Sequence, residues 1–212
     1  MPEALGEWEP LSVEAVTELL HGMDARWWIA GGWALDLHLG RQTRPHHDID
    51  VLVLREDLPA VRERLRGWDL QAGDPPGAGL LRPWSEDEVL PDALHDVWCR
   101  PSPSAPWALQ LMVADTDGAD WLYRRDHRVR RPVAELHGPA STSDRPVLAP
   151  EVQLLYKSRT PRPKDVADLH AVVGSLDATR RDWLRRALAT VAPGHGWLEV
   201  LQPGVSRPRA GR

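Results

Sequence analysis

Two carboxylates two residues apart open the most chemically suggestive segment of the chain, Asp48-Ile49-Asp50, which continues as Val51-Leu52-Val53-Leu54. The density of Val, Ile and Leu predicts a core strand over 48–54. On a strand, residues two apart share a face, so Asp48 and Asp50 project together, about 7 Å apart along the strand. Carboxylates that close repel each other unless a cation sits between them. An oxygen-only pair suits Mg²⁺, which also recruits phosphate oxygens. Alone, the pair fits two solvated carboxylates at a strand end just as well. Gly31-Gly32 changes the weighting. It offers backbone N–H groups with no Cβ in the way, at the start of a helix where a phosphate can approach closely. A Gly pair is also an ordinary tight turn between strand and helix. Together the two features supply amides for phosphate and oxygens for metal.

The elements that must position these residues can be read from hydrophobic spacing. Ser12 caps a helix predicted over 12–23, with Val13, Val16 and Leu20 on one face. Trp27-Trp28-Ile29 suits a short buried strand that runs into the Gly pair. A short helix over 33–39 is closed by Gly40. A polar loop over 41–47 leads to the Asp-x-Asp strand. A helix over 56–66 follows, with Pro59 near its start and Gly67 after its end. Residues 68–71 read as a strand and 73–91 as a long Pro- and Gly-rich loop. Strands over 95–100 and 107–113 are joined by a turn at 101–106, and the acidic stretch 115–120 is expected to end that hairpin. From residue 149 the pattern is helical, with helices over 150–157, 164–173 and 178–191, the last capped by Asp177.

Bulk composition narrows the partners. With 26 Lys and Arg against 31 Asp and Glu, the formal charge is −5, whereas a domain that grips nucleic-acid backbone is usually basic. The single cysteine, Cys99, excludes a disulfide framework and a Cys-based zinc site. No long apolar run or signal peptide is read, so the expected address is the cytoplasm, without membrane attachment. The chain has 11 Trp and no Phe, which reads as Trp filling aromatic core positions.

The stretch Gly31-Gly32-Trp33-Ala34-Leu35-Asp36, followed by Gly40-Arg41-Gln42-Thr43-Arg44-Pro45-His46-His47-Asp48-Ile49-Asp50, resembles the DNA-polymerase-β-like nucleotidyltransferases. Within them it is most similar to the aminoglycoside 2″-adenylyltransferase-like and lincosamide nucleotidyltransferase group. A looser match, Arg162-Pro163-Lys164-Asp165, falls in the helical half. The resemblance implies an α+β fold: a mixed sheet flanked by helices over 1–148, then a small helical domain over 149–202, with 203–212 as a flexible tail. It implies that Gly31 and Gly32 contact a triphosphate while Asp48 and Asp50 bind Mg²⁺. A nucleoside monophosphate would then pass from an NTP, with ATP the first choice, to a hydroxyl of a small molecule such as an aminoglycoside- or lincosamide-like antibiotic. Lys164 is the implied triphosphate contact in the helical half, with Lys157 a second candidate. The family also expects a third carboxylate on a neighbouring strand. The best-matching strand carries Gln110, which cannot take a proton as a base does. Asp96 on the preceding strand is the nearest substitute and the first choice for the third catalytic acid. Glu86, Asp87 and Glu88 lie in the loop.

Several residues support two readings. Arg41 and Arg44 suit bidentate phosphate contacts or exposed loop pairing. His46 and His47 point apart on an extended chain, which favours orientation of the loop or contact with substrate over zinc binding. Asp165 caps its helix or holds a salt bridge, and Asp165 with Asp168 reads as a solvated face more than an acceptor site. The basic run from Arg124 to Arg131 fits a solvated strand more than an RNA grip. Three functions compete: transfer to a small molecule, transfer to RNA or protein as in toxin-like members, and nucleotide binding without turnover.

Overall fold

The structure is a computed structural model that describes residues 6–202; the 203–212 segment, expected to be a tail, lies outside the described residues. The chain divides into two compact units, Met1–Ala149 and Pro150–Arg212.

The first unit is built on a mixed sheet. Helix α1 (Val13–Leu20) starts where Ser12 Oγ accepts from the Ala15 amide at 3.1 Å, and it buries Val13, Val16 and Leu20. Strand β1 (Trp27–Ile29) is buried throughout. Helix α2 (Gly31–Leu39) follows after one residue and ends at Gly40, whose φ of 66° is the left-handed value that lets a helix stop there. Both glycines of the pair thus lie inside the first turn of the helix, two residues ahead of its expected start. Strand β2 (Asp50–Leu54) begins at Asp50 and not at Asp48. The reason lies in its neighbour: β1 pairs antiparallel with β2 only as far as Ile29 opposite Val51, because the chain then turns into α2. A 3₁₀ turn at Arg55–Asp57 and helix α3 (Leu58–Arg64) replace the single longer helix expected over 56–66.

Strands β3 (Asp69–Gly73), β4 (Leu81–Pro83), β5 (Asp96–Arg100) and β6 (Leu109–Asp117) complete the main sheet in the order β1-β2-β6-β5-β3-β4. Only β2 and β6 run parallel in this path. β4 was hidden in the stretch expected to be loop, where its one strong anchor is polar: Arg82 pairs with Asp74 at 2.7 Å and Glu88 at 2.6 Å. The acidic stretch 115–120 does not end the hairpin. Its first three residues extend β6, and a two-residue turn with Gly118 at φ 58° leads into β7 (Asp120–Leu122), with Asp117 opposite Asp120. Arg130, on β8 (Arg130–Pro132), lies 3.1 Å from Asp117 and offsets that charge.

One face of the sheet carries Ile29, Val51, Val53, Val97, Cys99, Leu109, Leu111 and Val113 into a core shared with α1 and α3. Segment 84–94 has little regular structure and is held by two arginines. Arg62 donates to the carbonyls of Trp84, Ser85, Glu86 and Glu88 and lies 3.9 Å over the Trp84 ring. Arg55 donates to the carbonyls of Leu90, Pro91, Asp92 and Leu94, and its Nε reaches Asp115 at 2.5 Å.

The second unit is helical, with α4 (Pro150–Lys157), α5 (Pro163–Val172), α6 (Ala178–Val191) and α7 (Trp197–Val200). Asp177 caps α6 by accepting from the Arg180 amide at 2.8 Å. Asp165 accepts from the Arg162 amide at 3.0 Å. Asp165 and Asp168 are not the solvated face expected of them: both are buried, and Lys157 bridges them at 3.2 and 3.0 Å. Taking two carboxylates out of water requires such a counter-charge. Among the described residues, no helix is long and apolar enough to cross a membrane.

Two predictions follow from packing and burial. Leu111 is fully buried on the central strand pair, so Leu111→Ala should cost about 2–5 kcal/mol, while Val89→Ser, at a residue 87% exposed, should change stability by less than about 0.5 kcal/mol. Urea unfolding of both variants checks this, and equal effects would contradict the core assignment. Burial also pushes the imidazoles of His95 and His137 below their ordinary range. In the folded chain these groups resist protonation, so the unfolded chain binds more protons below the ordinary value of about 6.5. Stability should therefore be unaffected by them above that pH and should fall as pH drops from about 7 to 5. His137→Gln should flatten part of that slope in urea midpoints.

Candidate active site

The site grows from the junction of β1, α2 and β2. Gly31 opens α2 with φ 65°, a backbone conformation that residues with a side chain rarely adopt. A Cβ built on Gly31 would overlap the carboxylate of Asp50, and one on Gly32 would overlap the His46 ring and the Arg44 guanidinium. The glycines were expected to clear space for a phosphate. In this structure the cleared space admits the chain's own groups: Asp50 over Gly31, and His46 with Arg44 over Gly32. The positive end of α2 thus faces a carboxylate. The Ala30 amide donates to the Asp50 carbonyl at 2.8 Å and closes the junction.

The loop over 41–47 is pinned by one buried acid. Asp36, only 4% exposed, accepts from Thr43 Oγ1 at 2.5 Å and pairs with His46 Nε2 at 2.6 Å. Arg44 Nη1 lies 3.1 Å from His46 Nδ1. Because Arg only donates, Nδ1 accepts, and the Nε2 proton faces Asp36. Trp33 packs on the same ring with centroids 4.6 Å apart, and Gln42 Nε2 donates to the Arg44 carbonyl at 2.9 Å. His46 therefore orients the loop that leads through Asp48 to the strand beginning at Asp50. Asp36 and Thr43 do this work too and received no role from the sequence. The available signal was an acid within the mostly apolar run Gly31-Gly32-Trp33-Ala34-Leu35-Asp36-Leu37-His38-Leu39. Arg44 is committed to His46 and to the Pro45 carbonyl at 3.1 Å, while Arg41 is exposed.

Across the sheet, Asp50 stands in register with Gln110 on β6, and Gln110 with Trp98 on β5. Paired residues share a face, so Asp50, Gln110 and Trp98 form one row on the side opposite the core. Asp96 sits diagonally from Gln110, opposite Met112. Its carboxylate accepts from Gln110 Nε2 at 3.3 Å and pairs with Arg124 Nη1 at 3.2 Å. In this geometry Gln110 takes the place directly beside Asp50, and Asp96, expected to be the third acid, lies one strand further out on the same face with its charge engaged by Arg124. Among the described residues, no three His, Cys, Asp or Glu side chains cluster closely enough to hold a metal ion. The donors that remain, Asp48 and Asp50, are oxygen-only and half-buried. That chemistry fits Mg²⁺, which completes its shell with water and phosphate oxygens and needs no all-protein cage. Of the two lysines, Lys157 lies in the ion cluster of the helical unit and Lys164 sits half-exposed in the first turn of α5.

Comparison with known proteins bears on the same region. Residues 12–72 match the sequence model of the aminoglycoside-2''-adenylyltransferase family. The resemblance read from the Gly-Gly and Asp-x-Asp motifs holds. A 2''-aminoglycoside nucleotidyltransferase of Escherichia coli is 51% identical over 43 residues, which is 19% of this chain and 24% of that protein. One from Klebsiella pneumoniae is 43% identical over 61 residues, which is 26% of this chain and 34% of that protein. The chain thus spans only a quarter to a third of the length of the curated relatives it matches. In fold it is similar to the lincosamide antibiotic adenylyltransferase LnuA, solved with lincomycin bound. The TM-score is 0.52 at 17% identity, over 77% of this chain and 98% of that one. The expected α+β architecture, a mixed sheet with flanking helices, is borne out.

Gly31→Ala tests the junction. It forces a side chain into a positive-φ residue and into the Asp50 carboxylate, so it should destabilise the protein by more than about 1 kcal/mol. It should also weaken Mg²⁺–NTP binding. Thermal unfolding and calorimetry report the two effects separately, and a variant unchanged in both would show that residue 31 does not constrain Asp50.

Proposed function

We propose that this protein is a Mg²⁺-dependent nucleotidyltransferase that moves a nucleoside monophosphate, AMP by preference, from an NTP to a hydroxyl of a small molecule. The observation that carries the reading is the junction of Gly31 with Asp50, within the segment that matches the antibiotic-modifying adenylyltransferases. Asp48 and Asp50 would hold the metal, and the first turn of α2 would face the triphosphate. Bound Mg²⁺ would neutralise charge on the phosphates and orient the reacting groups. Arg41, exposed just past the C-terminal end of α2, stays a candidate for a phosphate contact; Arg44 holds His46 and acts on the loop. Of the two lysines in the helical unit, Lys157 already has its charge offset by Asp165 and Asp168. The acceptor hydroxyl attacks the α-phosphorus, the bond to the pyrophosphate oxygen breaks, and the hydroxyl proton is released. The formal charge of −5 favours a small hydroxylated acceptor over a nucleic acid.

A second reading rests on Gln110. An amide beside Asp50 can hydrogen-bond an acceptor but cannot remove its proton. A nucleotide-binding domain without turnover is the alternative that this residue favours, since a positioned base is worth roughly 10²–10⁴-fold in rate.

The assay is pyrophosphate release with Mg²⁺ and each NTP against a panel of small hydroxylated acceptors, aminoglycosides, lincosamides and neutral aryl glycosides among them, with mass spectrometry for the added nucleotidyl group. Transfer is expected with ATP, and Asp50→Asn should abolish both transfer and Mg²⁺-dependent nucleotide binding while leaving the fold intact. Gln110→Asp discriminates the two readings. A slow enzyme gains on the order of 10²-fold when a base is supplied there, whereas nucleotide binding with no release in either protein supports the non-catalytic alternative.

A further inference from the structure

Building on the nucleotidyl-transfer reading, we infer that the acceptor is a hydroxylated molecule with a flat aromatic ring and without several positive charges, and that Trp98 selects it. Trp98 stands directly across from Gln110, which in turn stands beside Asp50. With strands about 4.8 Å apart, the Trp98 and Asp50 backbones are roughly 10 Å from each other. A single sugar carrying one ring spans that distance. The indole is half-buried and keeps part of its surface in solvent. It is held by edge-type packing against Trp8, at 5.0 Å and 65°, and Trp107, at 5.5 Å and 80°. Trp107 is itself fixed under the Arg100 guanidinium, 4.2 Å from its centroid. A rigid aromatic surface of this kind binds rings by stacking at little entropic cost.

The charges around Trp98 point the same way. A polycationic acceptor needs carboxylates with no counter-charge of their own. On this face Asp96 is paired with Arg124 at 3.2 Å, and Asp69 with Arg100 at 2.6 Å. Gln110 is neutral. Asp48 and Asp50 are given to the metal by the reading on which this inference rests. Next to the reacting centre, the sheet therefore presents an amide and an indole, and its outlying acids are neutralised in place.

The test uses phenyl β-D-glucoside as a neutral, ring-bearing probe and tobramycin as a polycation, in the presence of Mg²⁺–ATP. Titration calorimetry on the wild-type protein should show tighter binding of the glucoside. Trp98→Leu keeps an apolar side chain but removes the ring, and should weaken glucoside binding about tenfold. Trp98→Phe should retain most of the affinity, and tobramycin should respond to neither change. Absent glucoside binding, equal affinities in Trp98→Leu and wild type, or tighter tobramycin binding overturns the inference. Pyrophosphate release is read in parallel. Ring-dependent binding without release removes the transfer reading and keeps the selectivity of Trp98. Release with tobramycin but not with the glucoside keeps the transfer reading and removes the selectivity.

Discussion

The carboxylate of Asp50 lies in the volume that a side chain at residue 31 would need, and much of the site follows from that contact. It requires glycine at the first position of α2 and a positive φ there. It brings the start of a helix against the start of a strand, so that an acid and a helix dipole meet with little freedom to move apart. It also explains why β1 must end at Ile29: one residue further, the chain is already turning into α2. The loop between α2 and β2 closes over the second glycine in the same manner. Asp36 holds Thr43 and His46, and His46 in turn accepts from Arg44. A buried acid with two polar partners, one of them held by an arginine in turn, is costly to assemble but narrows the loop to one conformation.

Local patterns in the sequence carried these elements well. Ser12 and Asp177 were readable as helix caps because capping depends on a side chain and an amide three residues on. The Gly pair, Gly40 and the apolar run after Asp50 were readable for similarly local reasons. What escaped was set by partners distant in sequence. The register that puts Gln110 beside Asp50, and Asp96 one strand further out, depends on how β5 and β6 align with β2, and no residue in any of them signals it. The start of β2 was misplaced because it is decided by where β1 stops. Asp165 and Asp168 looked solvated because Lys157, which permits their burial, comes from another helix.

A different logic holds segment 84–94. It lacks the periodic apolar residues that would bind it to the core, and two guanidinium groups take over. Arg55 and Arg62 each satisfy four backbone carbonyls, which replace the ladder that a strand would have supplied. Arg is suited to this because its planar fork of donors loses little freedom for each bond it makes. The same residue type recurs on the face of the sheet opposite that core, where Arg100 and Arg124 cancel acids. Arginine here acts mainly as a structural cross-link.

The parallel pairing of β2 with β6 has a consequence for how the site can be inherited and assembled. Residues 12–72, the part that matches the adenylyltransferase family, contain β1, β2 and all but the last residue of β3, and none of β6. In that segment alone, β2 would lose its parallel neighbour and leave a row of backbone groups unpaired. Asp50 would keep its glycine but lose the strand that carries Gln110. The stretch most like its relatives is therefore not an autonomous folding piece. During synthesis the acid-bearing strand must wait, with one edge open, until residue 109 and beyond have emerged. Closing so long a loop before any reward is slow, so the strand that carries Asp50 stays unprotected on one edge long after its own residues have emerged.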